Sequence, residues 1–493
     1  SLGRPAPGAE GSLGPGLGVR LRLPSGRRTM GEYQTDAMAE FPGLGPGGAA
    51  MDPLEPGLVL LYAEPFASLP AAWPLRPGRT TLGRDPALAV HLPVSAVSRR
   101  HAEIDWQGTT GVLRDLESRN GTLVDGRRVE VARLEAGSEI RIGDAILKVV
   151  DRAASDYARY RIDGVMTGGA ERRCRAGTSL VGGRALDRIA AHLEQIATAT
   201  LNVLVLGETG TGKEVAARDL HRMSGRRGAF CAVNCAAIPS NLLESELFGY
   251  RRGAFSGAER DKPGLFRAAH GGTLLLDEVG ELPPDAQAKL LRAIERKEVF
   301  PLGATAPEPA DVRIIGATNR DLRRLAATGA FRADLLGRLG EAEVALPPLR
   351  ERKEDVLQLV TTFLARQGRP HLRPDLSFMI GALHYDWPLN VRELEACIKR
   401  AVAITTGERL TAEHLPEAVQ EAMVGYGTPA AAATPAAQTR TPEASRTPSA
   451  DELRQLLVRH QGNVAAVGRE LGKERMQIHR WLRRYGIDLA DFR

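Results

Sequence analysis

The feature that most constrains this chain is an apolar run that ends in a glycine-rich turn. Leu201–Leu206 has the composition of a buried strand, and Gly207-Glu208-Thr209-Gly210-Thr211-Gly212-Lys213 follows at once and leads into a helix. Glycines let successive backbone N–H groups converge on phosphate oxygens, and the helix N-terminus adds positive potential. Lys213 is placed to reach the β- and γ-phosphates of a nucleotide. Gly207 to Glu214 are together the candidate nucleotide contacts, and Glu214 stands where the general motif has Ser or Thr, so the usual hydroxyl ligand for Mg²⁺ is missing.

The surrounding pattern agrees with such a loop. From Leu180 to about Val419, β-type runs alternate with amphipathic helices, which indicates a parallel α/β sheet. After Pro347 the pattern is helical only, a small lid beginning near residue 349. Gly271-Gly272-Thr273-Leu274-Leu275-Leu276-Asp277-Glu278 is an apolar strand that ends in two carboxylates. Strand ends of this kind sit beside the phosphate loop in open parallel sheets. Asp277 suits Mg²⁺, and Glu278 suits polarising an attacking water. A third strand, Val312–Ala317, ends in Thr318-Asn319, and Asn319 is the candidate sensor of the γ-phosphate.

Between the phosphate loop and Asp277 lies Gly253-Ala254-Phe255-Ser256-Gly257-Ala258. Glycines on both sides of a phenylalanine make a mobile, apolar loop tip. This segment resembles the GAFTGA signature of the AAA+ bacterial enhancer-binding proteins, which act on sigma-54 RNA polymerase. Ser256 replaces the family's Thr, keeping the hydroxyl and losing the methyl group. The resemblance implies ATP as nucleotide, a loop that touches sigma-54, and a restraining role for Asn234 on Glu278. Phe331–Leu339 resembles the segment with two arginine fingers, so Arg332 and Arg338 are expected to reach the ATP of a neighbouring subunit and neutralise transition-state charge there. Trp387-Pro388-Leu389-Asn390-Val391-Arg392 resembles the family's lid motif, with Arg392 as its sensor arginine. Departures stand at Leu336-Gly337, Gly340 and Leu389. Leu389 takes the place of a Gly, so a strained or reshaped turn is expected.

Upstream, short β-type runs at Leu58–Tyr62, Thr80–Gly83, Ala102–Asp105, Val112–Leu116, Glu139–Ile142 and Ile146–Val150 indicate a β-sandwich. Gly83-Arg84, Ser98-Arg99-Arg100-His101 and Ser118-Arg119-Asn120-Gly121-Thr122 resemble the forkhead-associated (FHA) domain. Arg84, Ser98 and Arg99 are then expected to hold a phosphate by charge-assisted hydrogen bonds. Asn120 is expected to bind the backbone beside a phosphothreonine, with Arg119 flanking it. His101 is expected to brace the loops, and Gly121 to supply a turn that other residues resist.

Downstream, residues 421–448 are a Thr/Pro/Ala linker. Ser449 with Glu452 reads as a capping box, Asn463 as the N-cap of Val464–Leu471, and Gly472 as its stop. A basic helix from about Lys473 to Tyr485 follows. The arrangement resembles a Fis-type helix-turn-helix, with Arg475, Gln477 and His479 placed for bases and Arg480, Arg483 and Arg484 for phosphates.

Composition narrows the setting. The 493 residues are 43% hydrophobic and 26% charged with a net charge of +6, ordinary for globular protein. No apolar run reaches the roughly 20 residues of a membrane span, and no signal peptide is seen. Cys174, Cys231, Cys235 and Cys397 form no metal-binding spacing and read as reduced thiols in the cytoplasm.

The expected order is a disordered segment (1–50), an FHA-like sandwich (51–152), a connector (153–178), an AAA+ ATPase with helical lid (179–420), the linker, and the helix-turn-helix (449–493). The resemblance implies a sigma-54-dependent regulator using ATP and Mg²⁺. Its partners would be sigma-54 holoenzyme, enhancer DNA, a phosphothreonine protein downstream of a serine/threonine kinase, and further copies of itself, from dimer to hexamer. An ATP-driven remodeller outside transcription and a DNA-bound phosphorylation-reading scaffold are the alternative classes.

Overall fold

The computed structural model describes residues 53–64, 69–160, 178–429, 450–460 and the single positions 467, 482, 485 and 487. Alternation builds the N-terminal sandwich. In Ala102–Gln107, Ala102, Ile104 and Trp106 turn inward and are buried. One sheet runs Ala72–Pro74, Gly57–Tyr62, Ala145–Val150, Glu139–Ile142, Thr122–Val124, Arg127–Val129. The other runs Val90–His91, Gly78–Gly83, Ala102–Gln107, Thr110–Asp115, Val131–Leu134. The six runs expected from hydropathy are all strands. The short ones escaped notice because two- to four-residue strands carry too few positions to show a period.

Gly57–Tyr62 and Ala145–Val150 are buried at every position. The outer face of this sheet is covered as well as the inner one. Val59 and Val150 pack on the helical turn Ala154–Tyr157, and the apolar residues of the sandwich run on into those of the helical lid as one continuous cluster. The expected connector therefore begins later than residue 153, since its first residues are part of the sandwich's packing.

The central domain is a five-stranded parallel sheet in the order Phe230–Asn234, Thr273–Asp277, Arg313–Thr318, Val203–Leu206, Ala342–Ala345. The strand Arg313–Thr318 is buried throughout, as a central parallel strand covered on both faces must be. The phosphate-loop strand starts at Val203 rather than Leu201. Asn202 is taken up in receiving the N–H of Ile314 and donating to the carbonyl of Arg338. Register sets Leu206 beside Thr318 and Asp277 beside Ala317 and Asn234. Three strand ends thus form one row.

The lid consists of Val356–Arg366, Leu376–His384, Asn390–Ile404 and Glu417–Ala422. The helical-only expectation needs one correction, a two-residue parallel pair between Arg373–Pro374 and Arg409–Leu410. In the tail, the helix Ala450–Arg459 buries Leu453 and Leu457 against Val467 and Leu482. Among the described residues no helix is long and apolar enough to cross a membrane. The disorder expected for residues 1–50 and most of the linker lie outside the described residues.

Candidate active site and phosphate-recognition loops

The turn after Val203–Leu206 is shaped by backbone that only glycine adopts freely. Gly207, Gly210 and Gly212 have φ of 156°, 81° and 108°. Gly207 is also tied down, its N–H donating to the carbonyl of Thr318 on the neighbouring strand. Lys213 begins the helix Lys213–Met223 and is buried. Its ammonium donates to the carbonyls of Gly207 (2.9 Å) and Glu208 (3.3 Å) and lies 3.8 Å from the carboxylate of Glu278. A buried cation is thus folded back over the loop, its charge opposed by the carboxylate at the next strand end.

Asp277 and Glu278 close the strand Thr273–Asp277, and Glu278 takes a left-handed backbone with φ of 51°. Asn234 donates to Asp277 at 3.2 Å. This corrects the expectation that Asn234 holds Glu278, and register explains it, because Asn234 and Asp277 are paired on adjacent parallel strands. Asn319 lies exposed one residue past Thr318, next to both the phosphate loop and Asp277.

Glu214 also requires correction. Its carboxylate is exposed and bonds Arg218 one turn along the helix, so the side chain takes no part in the loop. Thr211 donates its hydroxyl to the carbonyl of Glu208 inside the loop. Glu208 instead points to the lid. Bonds from Arg350, and from Asn390, outweigh what little burial it has and hold its carboxyl down at about 2.

The lid reaches the phosphate loop through the turn Trp387–Asn390. Asn390 is fully buried, donates to the carbonyl of Thr209, and accepts the N–H of Leu349. The N–H of Val391 donates to the carbonyl of Gly210. Arg392 follows directly and is exposed. The strain expected at Leu389 is not there. Leu389 has φ of −103°, and the left-handed residues of this turn are Trp387 and Asn390.

Arg332 and Arg338 do not join this site within one chain. Arg332 pairs with Asp334 and Arg338 with Glu295, and both are exposed. The backbone of Arg338 bonds Asn202, at the end of the sheet away from the phosphate loop. A side chain at Gly337 would begin in open space, with nothing within 4 Å of its Cβ.

The Gly253–Ala258 loop projects between the short paired segments Gly249–Tyr250 and Lys262–Pro263. The N–H of Gly253 donates to Ala258 and that of Ala258 to Phe255, which closes the tip. Phe255 is 44% exposed and rests edge-on against Tyr250. Gly253, Ser256 and Gly257 are exposed, and Gly253 and Gly257 have positive φ.

In the sandwich, the three loops converge as the sequence suggested. Arg84, Arg99, Arg119 and Asn120 are exposed. The N–H of Arg84 donates to the carbonyl of Ser98, and the hydroxyl of Ser98 accepts from the N–H of Arg119. Asn120 donates to the carbonyl of Ala96. His101 is fully buried. Its Nδ1 accepts the N–H of Ser98 at 3.0 Å, so the proton sits on Nε2, which faces the carbonyl of Gly121 at 3.2 Å. Burial holds its pKa below the usual value.

Two supporting residues were missed in the sequence. Asp115 accepts from the backbone and hydroxyl of Ser118 and from the hydroxyl of Thr122, bonds that outweigh its burial and lower its pKa. The side chain of Arg128 lies where any side chain at Gly121 would go. An acid closing a strand was the available signal for Asp115, while nothing local marks Arg128.

The Sigma-54 interaction domain profile matches residues 180–345, the FHA domain profile residues 80–143 and the AAA+ ATPase lid domain profile residues 350–431. The nitric oxide reductase transcription regulator NorR1 of Cupriavidus necator is 44% identical over 321 residues, 62% of this chain and 62% of that protein. The regulatory protein AtoC of Escherichia coli is 39% identical over 320 residues, 64% of this chain and 69% of that one. The chain belongs to the sigma-54-dependent transcriptional regulators. It spans about three fifths of the length of NorR1. Among solved structures, the ATP complex of NtrX from Brucella abortus is 30% identical, with 63% of this chain and 70% of that one covered and a TM-score of 0.47.

This regulator thus carries an AAA+ ATPase domain behind an FHA domain. Arg475, Gln477, His479, Arg480, Arg483 and Arg484, expected from the sequence to contact DNA, lie outside the described residues.

Proposed function

We propose that this regulator hydrolyses ATP to ADP and phosphate, uses the Phe255 loop to remodel sigma-54 RNA polymerase at promoters, and is controlled by phosphothreonine recognition in its FHA domain. The observation that carries the first part is the juxtaposition of Lys213 and Glu278, 3.8 Å apart, with Asp277 beside Glu278 and Asn319 at the end of the adjoining strand. Backbone N–H groups of Gly207–Gly212 would hold the β-phosphate, and Lys213 would leave its loop carbonyls for the β- and γ-oxygens. Glu278, on the strand end facing that position, would accept the proton of the attacking water. Asn319 would orient the γ-phosphate, and Arg392 would bring the lid's charge to it.

Mg²⁺ fits these residues. Among the described residues no group of three or more metal-ligating side chains exists, and Mg²⁺ in such sites takes one or two carboxylates plus phosphates and water. Asp277 is the carboxylate that would hold it, and the ion would neutralise phosphate charge.

Arg332 and Arg338 would act in trans. That neither joins the chain's own phosphate loop, Arg332 pairing with Asp334 and Arg338 with Glu295, supports a ring in which each serves a neighbour, built from dimers up to a hexamer. Enhancer DNA would be held by the C-terminal helix-turn-helix. Arg84, Ser98 and Arg99 would hold the phosphate of a phosphothreonine, with Asn120 and Arg119 on the flanking backbone, and the ligand would be a protein acted on by a serine/threonine kinase. The regulator would work in the cytoplasm, where sigma-54 polymerase is.

The test is steady-state ATP hydrolysis by the full chain and its Asp277→Ala variant, followed by promoter melting with sigma-54 polymerase. Loss of both in the variant is expected. Equal melting by the two proteins would replace the motor with a scaffold.

A further inference from the structure

The FHA domain touches the ATPase domain on both sides of the hinge between the α/β core and the lid. On the hinge side, Lys148 donates to the carbonyl of Glu351 (2.6 Å) and to the carboxylate of Glu354 (2.9 Å), and Lys353 donates to Glu139 at 3.0 Å. These are two crossed ion pairs, lysine to glutamate in each direction, and all four side chains are largely buried. Burial alone would lower the pKa of Lys148, but Glu354, Tyr157 and Asp355 together outweigh burial and raise it. On the core side, Asp156 pairs with Arg184, whose guanidinium lies over the ring of Tyr157.

The residues between these pairs lead to the phosphate loop. Arg352 and Asp355 form an ion pair that is almost entirely buried. Arg352 also donates to the carbonyl of Thr211 in the phosphate loop, and Asp355 accepts the N–H of Gly183 at 2.6 Å, on the segment that enters the core's first helix. The four-residue stretch Arg352–Asp355 therefore divides its contacts, the outer two residues on one side and the inner two on the other. Arg352 and Asp355 face the nucleotide cleft, while Lys353 and Glu354 face the sandwich. At the far end of the lid a second attachment exists. The N–H of Gly427 donates to the carbonyl of Gly126, and that of Arg128 to the carbonyl of Thr428.

Resting on the ATPase reading above, we infer that Lys148 and Glu139 of the FHA domain are positioning residues of the nucleotide site, which set the hinge segment Arg352–Asp355 and so govern how readily the cleft opens to release nucleotide. Isolated ion pairs at a surface do little for stability. Buried ones are costly to break because they leave a charge unpaired. Crossed pairs of opposite sense also fix register, since a shift of the hinge would bring like charges together. The sandwich is thereby part of the device that sets the angle of the lid.

The test uses the full chain and a fluorescent ADP analogue, with its dissociation rate read by stopped flow and the KM and kcat for ATP measured beside it. Lys148→Glu sets two carboxylates against each other. It should speed release about tenfold, and raise KM more than it changes kcat. The swap Lys148→Glu with Glu354→Lys should bring release back to within about twofold of wild type, a recovery that bulk destabilisation would not give. Glu139→Gln keeps shape and removes only charge, which covers the case in which Lys148→Glu does not fold. It should speed release about threefold while the melting curve stays cooperative. A folded Glu139→Gln variant with wild-type release, or a swap that fails to restore a folded Lys148→Glu, would overturn the inference. Wild-type protein that binds no ADP analogue would instead remove the ATPase reading, and this inference with it.

Discussion

His101 offers the sharpest test of how the FHA domain shapes its recognition loops. The imidazole is fully buried and joins two loops, accepting from Ser98 on one side and facing the carbonyl of Gly121 on the other. His101→Ala leaves a backbone donor and a backbone acceptor without partners in a buried space. At about 1–3 kcal/mol for each unsatisfied group, plus a small cavity, the loss is about 3 kcal/mol. That corresponds to local opening about a hundredfold more frequent, by the factor of ten per roughly 1.4 kcal/mol. Hydrogen exchange by mass spectrometry over residues 98–122 reads it directly. His101→Asn can still accept from Ser98 and should lie between the two.

Protonation should act like the substitution. The folded-state pKa of His101 is depressed, so the stability it contributes is present above its ordinary value of 6.5 and is lost as the pH falls below that value toward the folded pKa. The new proton would sit on Nδ1, facing the N–H of Ser98. Phosphothreonine-peptide affinity should therefore fall below pH 6.5 in wild type more steeply than in His101→Asn. Unchanged exchange in His101→Ala, or identical pH profiles, would refute the reasoning.

Other consequences follow from the same contacts. Arg84→Ala should abolish binding of a phosphothreonine peptide in a calorimetric titration, with the melting curve unchanged, since the side chain is exposed. Glu278→Gln should retain the fluorescent ADP analogue and lose hydrolysis by about a hundredfold or more in kcat, whereas Lys213→Ala should lose nucleotide binding itself. Gly210→Ala would set a Cβ about 2.0 Å from the carbonyl of Leu389, at a φ of +81°. The lid turn must then move, and both nucleotide affinity and thermal stability should drop, by about 2 kcal/mol or more. Arg338→Ala mixed with Asp277→Ala should recover part of the ATPase activity that each lacks alone, because the arginine would serve a neighbour's site.

Much of this was legible in the sequence because glycine and charge must sit at fixed places for a backbone to grip phosphate. Gly207, Gly210 and Gly212 shape the turn that follows a strand, Lys213 opens the next helix, and Asp277 and Asn319 stand at the ends of two neighbouring strands. Ser98, His101, Arg119 and Asn120 likewise converge from separate loops. What escaped was long-range. Asn234 pairs with Asp277 rather than Glu278 because parallel register decides it, and register is not written in either strand. Glu214 turns to Arg218 because a helix offers it a partner one turn away. Leu389 is unstrained because Asn390 takes the left-handed conformation in its place. The docking of the sandwich on the lid, through Lys148, Glu139, Lys353 and Glu354, joins residues roughly two hundred positions apart, and single charged residues carry no mark of such a partner. It shows only afterwards, in strands such as Gly57–Tyr62 that lack the alternation of a half-exposed sheet.

The most direct test of the account is promoter opening by sigma-54 polymerase on supercoiled DNA, with the full chain and either ATP or a non-hydrolysable analogue, read by the reactivity of unpaired thymines. Opening with ATP alone, lost in Phe255→Ala while that variant still hydrolyses ATP, is the predicted result. Opening without hydrolysis, or full opening by Phe255→Ala, would contradict it.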